Sequence, residues 1–416
     1  MLACGLDFGT SNSAIGVANG AATTLAQVEG DSDLIPSAVF FDQETGGVLF
    51  GARAIATYIG QAEGRLLRAL KTILGSPLID EKTAIGARRV ALTEVVSLFI
   101  QHLKSRAEYF AGNEIMAVVH GRPVHFVDGD AAADRKAEGV LESIARTAGF
   151  REVSFVYEPI AAALHYEETA IREELVLVAD IGGGTSDFSL IRIGPGRHNR
   201  PDRSSDILAN SGGRIGGTDF DTLLSLASVM PLLGLGTHLI AKNLPMPRGP
   251  YQELATWALI NFLYNQKTER EIITLVRQAR EPERVRRLLR VIRARLGHRL
   301  AFAVEDAKIA LSDSDETILP LDFIEPTLSA PASRTTFANA VAEKRAGLHK
   351  LASACIADAG VQPDAVNTIF FTGGSCRIPA VRAAISAAAP AAQAAQKSDM
   401  LSVGLGLTRE AARRYA

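Results

Sequence analysis

The feature that most constrains this chain is a short motif that occurs twice. Gly5 to Val17 reads GLDFGTSNSAIGV, and Leu175 to Ile193 reads LVLVADIGGGTSDFSLIRI. In each copy an apolar run ends in an aspartate (Asp7, Asp180), a glycine turn with hydroxyl residues follows, and a second apolar run begins. Short, β-branched apolar runs bounded by turn residues predict buried strands. Glycines let the chain reverse and let backbone N–H groups approach an anion with no Cβ in the way. Asp180 and Asp187 bracket the second turn, where carboxylates can hold a hydrated cation, so phosphate plus Mg²⁺ is the ligand that fits. Either copy alone is equally readable as an ordinary glycine hairpin. Two copies a domain's length apart predict two similar lobes whose turns grip one polyphosphate from both sides.

Length and charge bound the rest. A chain of 416 residues can bury a large core and predicts two or more lobes. A formal net charge of −2 argues against a nucleic-acid or membrane partner found by bulk electrostatics. Met1 runs almost directly into the first strand with no basic leader, so no signal peptide is expected. No window reaches membrane-spanning length free of charge. Cys4, Cys355 and Cys376 are an odd number without CxxC spacing, which predicts reduced thiols, a cytoplasmic setting and no structural zinc.

Between the two hairpins, strands alternate with helices, the pattern of an α/β lobe. A proline-opened strand covers Leu34–Phe41, and a helical segment is expected over Gly51–Gly75, carrying Arg65, Arg68 and Lys71. Helical spacing runs from Val90 to Phe110. A strand over Ile115–Val119 is broken by Gly121-Arg122-Pro123 and resumes briefly at Val124–Val127. A helix over Ala132–Ala148 leads to a buried strand, Val153–Tyr157, which runs into Glu158-Pro159 and the next helix. Glu158, at a strand end before a helix N-terminus, sits where open α/β sheets place ligand chemistry; simple capping of that helix is the alternative.

A third glycine cluster, Gly212 to Gly217, leads into a helix near Asp219 whose amides suit a phosphate. Leu223–Leu300 is expected to be mostly helical, and its arginines at 284, 286, 287, 290, 293 and 295 read as a solvated face in preference to a nucleic-acid stripe. In VEDAKIALS, Glu305, Lys308 and Ser312 share one helix face, as a ligand contact or an ordinary ion pair. A buried strand, Val366–Thr372, ends in a fourth glycine turn, Gly373-Gly374-Ser375-Cys376-Arg377.

The ordered segments DFGTSNS, GRPV, YEPIAAAL, DIGGGTSD, GGRIGGTDFD, EDAKIALS and TGGSCRIP resemble the nucleotide-binding region of DnaK-type heat-shock chaperones, and more closely the YegD-like branch of that superfamily. The resemblance covers essentially the whole chain. It implies the two-lobe actin-like ATPase fold, with duplicated ribonuclease H-like lobes, ATP or ADP and Mg²⁺, and a helical insertion in the second lobe. The first lobe is expected over 1–172, with a small subdomain at about 36–84. The second covers 173–398, mostly helical at about 219–312, and a C-terminal helix (399–416) returns to the first lobe.

By motif, the resemblance implies that Asp7 and Asp180 orient Mg²⁺ through water. Gly9, Thr10, Ser11, Asn12 and the amides of Gly182, Gly183, Gly184 and Thr185 would hold the phosphates. Lys71 would contact the γ-phosphate, with Glu158 and Asp187 completing the shell around the attacking water. Gly216 and Gly217 would line the phosphates, Glu305 and Lys308 would hold the ribose, and Ser312 would touch the base. Gly373, Gly374, Ser375 and Arg377 would line the adenosine pocket, with Asp399 near the base.

Two departures stand out. Ile309 replaces an arginine that stacks on adenine in the family, a loss of about 1 kcal/mol. The sequence ends without the family's apolar linker and peptide-binding domain. The implied function is a slow ATPase acting as a chaperone-like switch, a cytoplasmic monomer read by a protein client or co-chaperone. A small-molecule kinase, a filament-forming protein and a nucleotide sensor with little hydrolysis remain as readings of the same fold.

Overall fold

The computed structural model describes all residues except 1, 61, 75–80, 86–87, 128–129, 168–169, 198–199, 201, 396–400 and 416. The chain forms two compact units, Met1–Arg214 with Lys350–Cys376 and Ile385–Ala416, and Ile215–His349 with Arg377–Ala384.

The first unit contains the same sheet twice. β1 (Ala3–Phe8), β2 (Asn12–Asn19) and β3 (Ala22–Leu25) form an antiparallel meander, and β4 (Ala117–Arg122) and β5 (Glu152–Tyr157) add in parallel beside β1. β6 (Glu174–Ile181), β7 (Ser186–Ile193) and β8 (Ile207–Gly213) repeat the meander, and β9 (Thr368–Thr372) and β10 (Gln393–Ala394) repeat the parallel additions beside β6. The repeated motif is thus the β1–β2 hairpin in one sheet and the β6–β7 hairpin in the other.

Helices cover both faces of the first sheet, as sheets with parallel strands require. α1 (Leu92–Ala111) and α2 (Ala131–Thr147) bury Val95, Phe99, Leu103 and Leu141 against Leu6, Phe8 and Val118. α3 (Glu158–Glu167) and α8 (Ser402–Tyr415) share one core with both sheets, joining Ala3, Val119, Val176, Val178, Ala162 and Leu407. The cysteines at 4, 355 and 376 are buried and free.

Two local expectations are corrected. The segment expected to be helical over Gly51–Gly75 is a helix only over Gly51–Ile59. Gly64–Arg68 is a strand paired with Ala38–Asp42, and Leu70–Ile73 is a single 3₁₀ turn. Long-range pairing of Leu66 and Leu67 with Phe40 and Val39 overrides local periodicity there. The expected strand continuation at Val124–Val127 is a bent loop. Pro123 has no N–H for the ladder, and the Phe126 amide donates to Asp134 Oδ1 (2.6 Å) instead.

The second unit is mainly helical: α4 (Gly217–Leu224), α5 (Pro282–Arg293), α6 (Gly297–Asp313) and the start of α7 (Ala342–Asp358), with a hairpin of Glu316–Pro320 and Ser329–Ser333. α5 buries Val285, Leu288, Val291 and Ile292. Its arginines are engaged within the unit: Arg287 pairs with Glu325 (2.9 Å), Arg293 with Glu269 (2.7 Å), and Arg290 donates to the Ile324 carbonyl (2.6 Å). Among the described residues no helix is long and apolar enough to cross a membrane.

Candidate nucleotide site

Most of the residues singled out from sequence lie in the first unit, at the ends of β1, β5, β6 and β9. The first turn is tied down from behind by Ser37. Its amide donates to the Ser11 carbonyl (2.8 Å), its hydroxyl donates to the Gly9 carbonyl (2.7 Å), and Ser13 Oγ lies 2.9 Å away. With the carbonyls held, the turn's peptide units are fixed with their N–H groups pointing the other way. Ser37 escaped the sequence reading because its role comes from long-range pairing beside Pro36, which no local pattern signals.

The second turn approaches the first closely. A Cβ built on Gly183 would lie 2.1 Å from Ser11 Oγ, so any side chain there would have to turn the Ser11 hydroxyl away. The Gly182 amide closes the turn by donating to the Thr185 carbonyl (2.9 Å), and the Gly182 carbonyl accepts from Ser375 Oγ (3.2 Å). Among the described residues no hydrogen bond engages the amides of Gly183, Gly184 and Thr185. Gly373, at φ +79°, backs the Asp180 carboxylate, where a Cβ would come within 2.5 Å of Oδ1. Gly374 follows it in the same turn. Asp187 stands directly opposite Asp180 in the β6–β7 register.

Lys71 reaches this place from the 3₁₀ turn after the small sheet. Leu70, Ile73 and Leu74 are buried, and Ala69 takes the left-handed conformation (φ 56°) to start the turn. Lys71 Nζ donates to Glu158 Oε1 at 2.6 Å, and Glu158 is 8% exposed at the first position of α3. Withdrawal from water lowers the Lys71 pKa, but the carboxylates of Glu158, Asp7 and Asp180 outweigh it, and the net shift is upward. Desolvation, then the Glu158 charge, pushes Asp7 up to about 8. Desolvation, Glu158 and Asp187 push Asp180 up to about 7. One ammonium therefore stands among crowded carboxylates whose excess negative charge a divalent cation would satisfy.

His120, beside this cluster, is a buried neutral imidazole. Its Nδ1 lies 2.7 Å from the Gly121 carbonyl, and burial pushes its pKa down to about 4.

The donor set fits a hydrated Mg²⁺: hard carboxylate oxygens at the ends of two strands, with aspartates held above their ordinary pKa by burial and by neighbouring carboxylates. Among the described residues no group of three His, Cys, Asp or Glu side chains is placed to ligate a metal directly.

The other expected residues lie in the second unit. Gly216 and Gly217 open α4, where the Gly216 amide donates to Asp219 Oδ2 (3.0 Å) and Asp219 pairs with Lys344 (2.7 Å). On α6, Lys308 is buried and pairs with Asp221 (2.8 Å), and Ser312 Oγ donates to the Lys308 carbonyl (3.4 Å). Glu305 lies one turn before Lys308, and Ile309 is half exposed. Arg377 pairs with Asp313 (3.1 Å). Asp399 lies outside the described residues.

Duplicated sheets of this topology, each opening with an acidic glycine hairpin, define an α/β chain of the actin-like ATPase fold. The model of the Hsp70 protein family matches residues 79–227 and 290–398, more than half of the chain, and the chain belongs to that family. A curated relative is a chaperone protein DnaK from Thermosipho africanus (strain TCF52B), 27% identical over 388 residues, covering 91% of this chain and 53% of the relative. The chain spans about half the length of that relative.

Proposed function

We propose that this chain binds ATP and ADP with Mg²⁺, hydrolyses ATP slowly, and acts as a chaperone-like nucleotide switch read by a protein client or co-chaperone. The observation that carries the reading is the Lys71–Glu158 contact (2.6 Å) among Asp7, Asp180 and Asp187, where the two glycine turns meet. Thr10, Ser11, Asn12 and the amides of Gly183 to Thr185 suit phosphate oxygens, with Gly9 and Gly182 shaping the turns. Asp7 and Asp180 would hold Mg²⁺ through water, and the metal supplies charge neutralisation on the phosphates.

Phosphoryl transfer needs mainly positioning and electrostatic stabilisation. Lys71 stabilises charge on the transferred group, while Glu158 and Asp187 accept hydrogen bonds from the attacking water and Thr185 orients it. Within the first unit, Gly374 and Ser375 would line the nucleotide. We assign the chain to the YegD-like branch as a cytoplasmic monomer, on the strength of its GRPV segment and buried reduced thiols.

Calorimetric titration with Mg-ATP and Mg-ADP tests binding, and absence of heat with both ends the reading. Hydrolysis by wild type and Lys71→Ala then separates an ATPase from a nucleotide sensor. An unchanged rate in the variant would remove Lys71 from catalysis.

A further inference from the structure

Arg122 ends β4 and stands opposite Tyr157, the last residue of β5, in the parallel register. Its guanidinium lies over two rings, 5.2 Å from the Tyr157 centroid and 5.3 Å from that of Phe126. Nε donates to the Pro123 carbonyl (3.0 Å), and Nη2 donates to the Val124 carbonyl (3.2 Å) and Asp134 Oδ2 (2.8 Å). Nη1 donates to Glu138. The side chain is only 11% exposed, so its charge rests on Asp134 and Glu138 of α2.

Both chain neighbours of this clamp abut Glu158. Tyr157 precedes it directly. Gly121, which precedes Arg122, packs so closely that a Cβ there would lie 3.2 Å from Glu158 Cγ and 3.4 Å from Oε1. β5 is the edge strand of its sheet, so its end has one strand neighbour only. The stack on Tyr157 supplies the restraint a second strand would have given.

We propose that Arg122 is a positioning residue: by stacking on Tyr157 and pinning the end of β4, it holds the Glu158 carboxylate against Lys71 for ATP hydrolysis. The proposal rests on the functional reading above. Lysine cannot replace it, since an ammonium lacks the planar face and the fork that joins two carbonyls and two carboxylates.

The test compares wild type, Arg122→Lys, Glu158→Gln and the double variant by single-turnover ATP hydrolysis and by calorimetric ADP affinity. Arg122→Lys should slow hydrolysis about tenfold, as misplacement of a reacting group does, while ADP affinity stays within about twofold. Because Arg122 acts through Glu158, the double variant should be no slower than Glu158→Gln alone. A merely structural role would lower thermal stability without this rate-against-affinity split. A wild-type rate in Arg122→Lys, or a double variant slowed by the product of the two single effects, overturns the proposal. Should Arg122→Lys fail to fold, Tyr157→Leu removes the stack and is read the same way. If wild type neither binds nor hydrolyses ATP, the functional reading falls and this proposal with it. If Glu158→Gln slows hydrolysis and Arg122→Lys does not, only this proposal falls.

Discussion

Glu158 and Lys71, 87 positions apart in sequence, meet in a 2.6 Å charge-assisted hydrogen bond at the end of the first sheet. Glu158 arrives from a strand end and Lys71 from a 3₁₀ turn, so neither is held by the other's element. A charged pair this withdrawn from water is sensitive to the loss of either member.

Lys71→Ala should slow ATP hydrolysis about 100-fold or more, the usual cost of removing a group that stabilises developing charge. Single-turnover rates measure it. The variant should also be less stable, by about 3 kcal/mol before discount for the residual exposure of the pair, because Glu158 is left buried without its cation. Urea unfolding reads this second effect independently of activity.

The raised aspartates predict a pH dependence of unusual sign. Asp7 and Asp180 sit at about 8 and about 7 when folded, against an ordinary aspartate value of 3.8. The folded chain therefore binds more protons than the unfolded chain between those values. The associated stability is complete below about pH 4 and lost as pH rises through 7 and 8. Without divalent cation, the urea midpoint should fall between pH 5.5 and 8.5 (roughly spanning these pKa values), and Asp7→Asn should flatten the fall. Saturating Mg-ADP should oppose it, and its affinity should rise over the same range as protons leave. A midpoint that rises with pH would refute the assigned shifts.

Gly183→Ala places a methyl where Ser11 Oγ stands. Either the Ser11 hydroxyl rotates away or the turns part, so Mg-ADP affinity should fall by up to about tenfold, which is about 1.4 kcal/mol. Adding Ser11→Gly removes the colliding side chain and should recover part of the loss, as calorimetry would show. No recovery would mean that Ser11 is not what Gly183 avoids.

A second buried ion cluster supplies a control remote from the phosphate residues. Arg203 pairs with Glu167 (2.8 Å) and Asp206, and Arg197 also reaches Asp206; both carboxylates are 1% exposed. Arg203→Ala should cost about 3 kcal/mol in urea unfolding, since buried Glu167 loses its arginine while Asp206 keeps Arg197. ADP affinity of the folded variant should stay within about twofold, a factor worth only about 0.4 kcal/mol.

Much of the candidate site's local geometry was legible because its turns are built from neighbouring residues. Asp7, Asp180 and their glycine turns form from contiguous residues, and the repeat of that motif foretold the repeat of the sheet. Glu158 was legible as a strand-end acid before a helix. The segment around Lys71 was misread as helix because its strand, Gly64–Arg68, exists only through pairing with Ala38–Asp42. Ser37 and the Arg122 clamp were invisible as partners for the same reason: each joins residues that only folding brings together. On α6, Lys308 shared a helix face with Glu305 by spacing, yet its resolved partner is Asp221 on another helix.

The sequence by itself determined the strand–turn–strand units, the acid at the end of each, and the family, because backbone reversal and apolar patterning are properties of neighbouring residues. Tertiary structure alone decided how the carboxylates titrate and which cation they share. Those depend on burial and on charges met across the fold, and a pKa is set by surroundings that the linear order of residues does not contain.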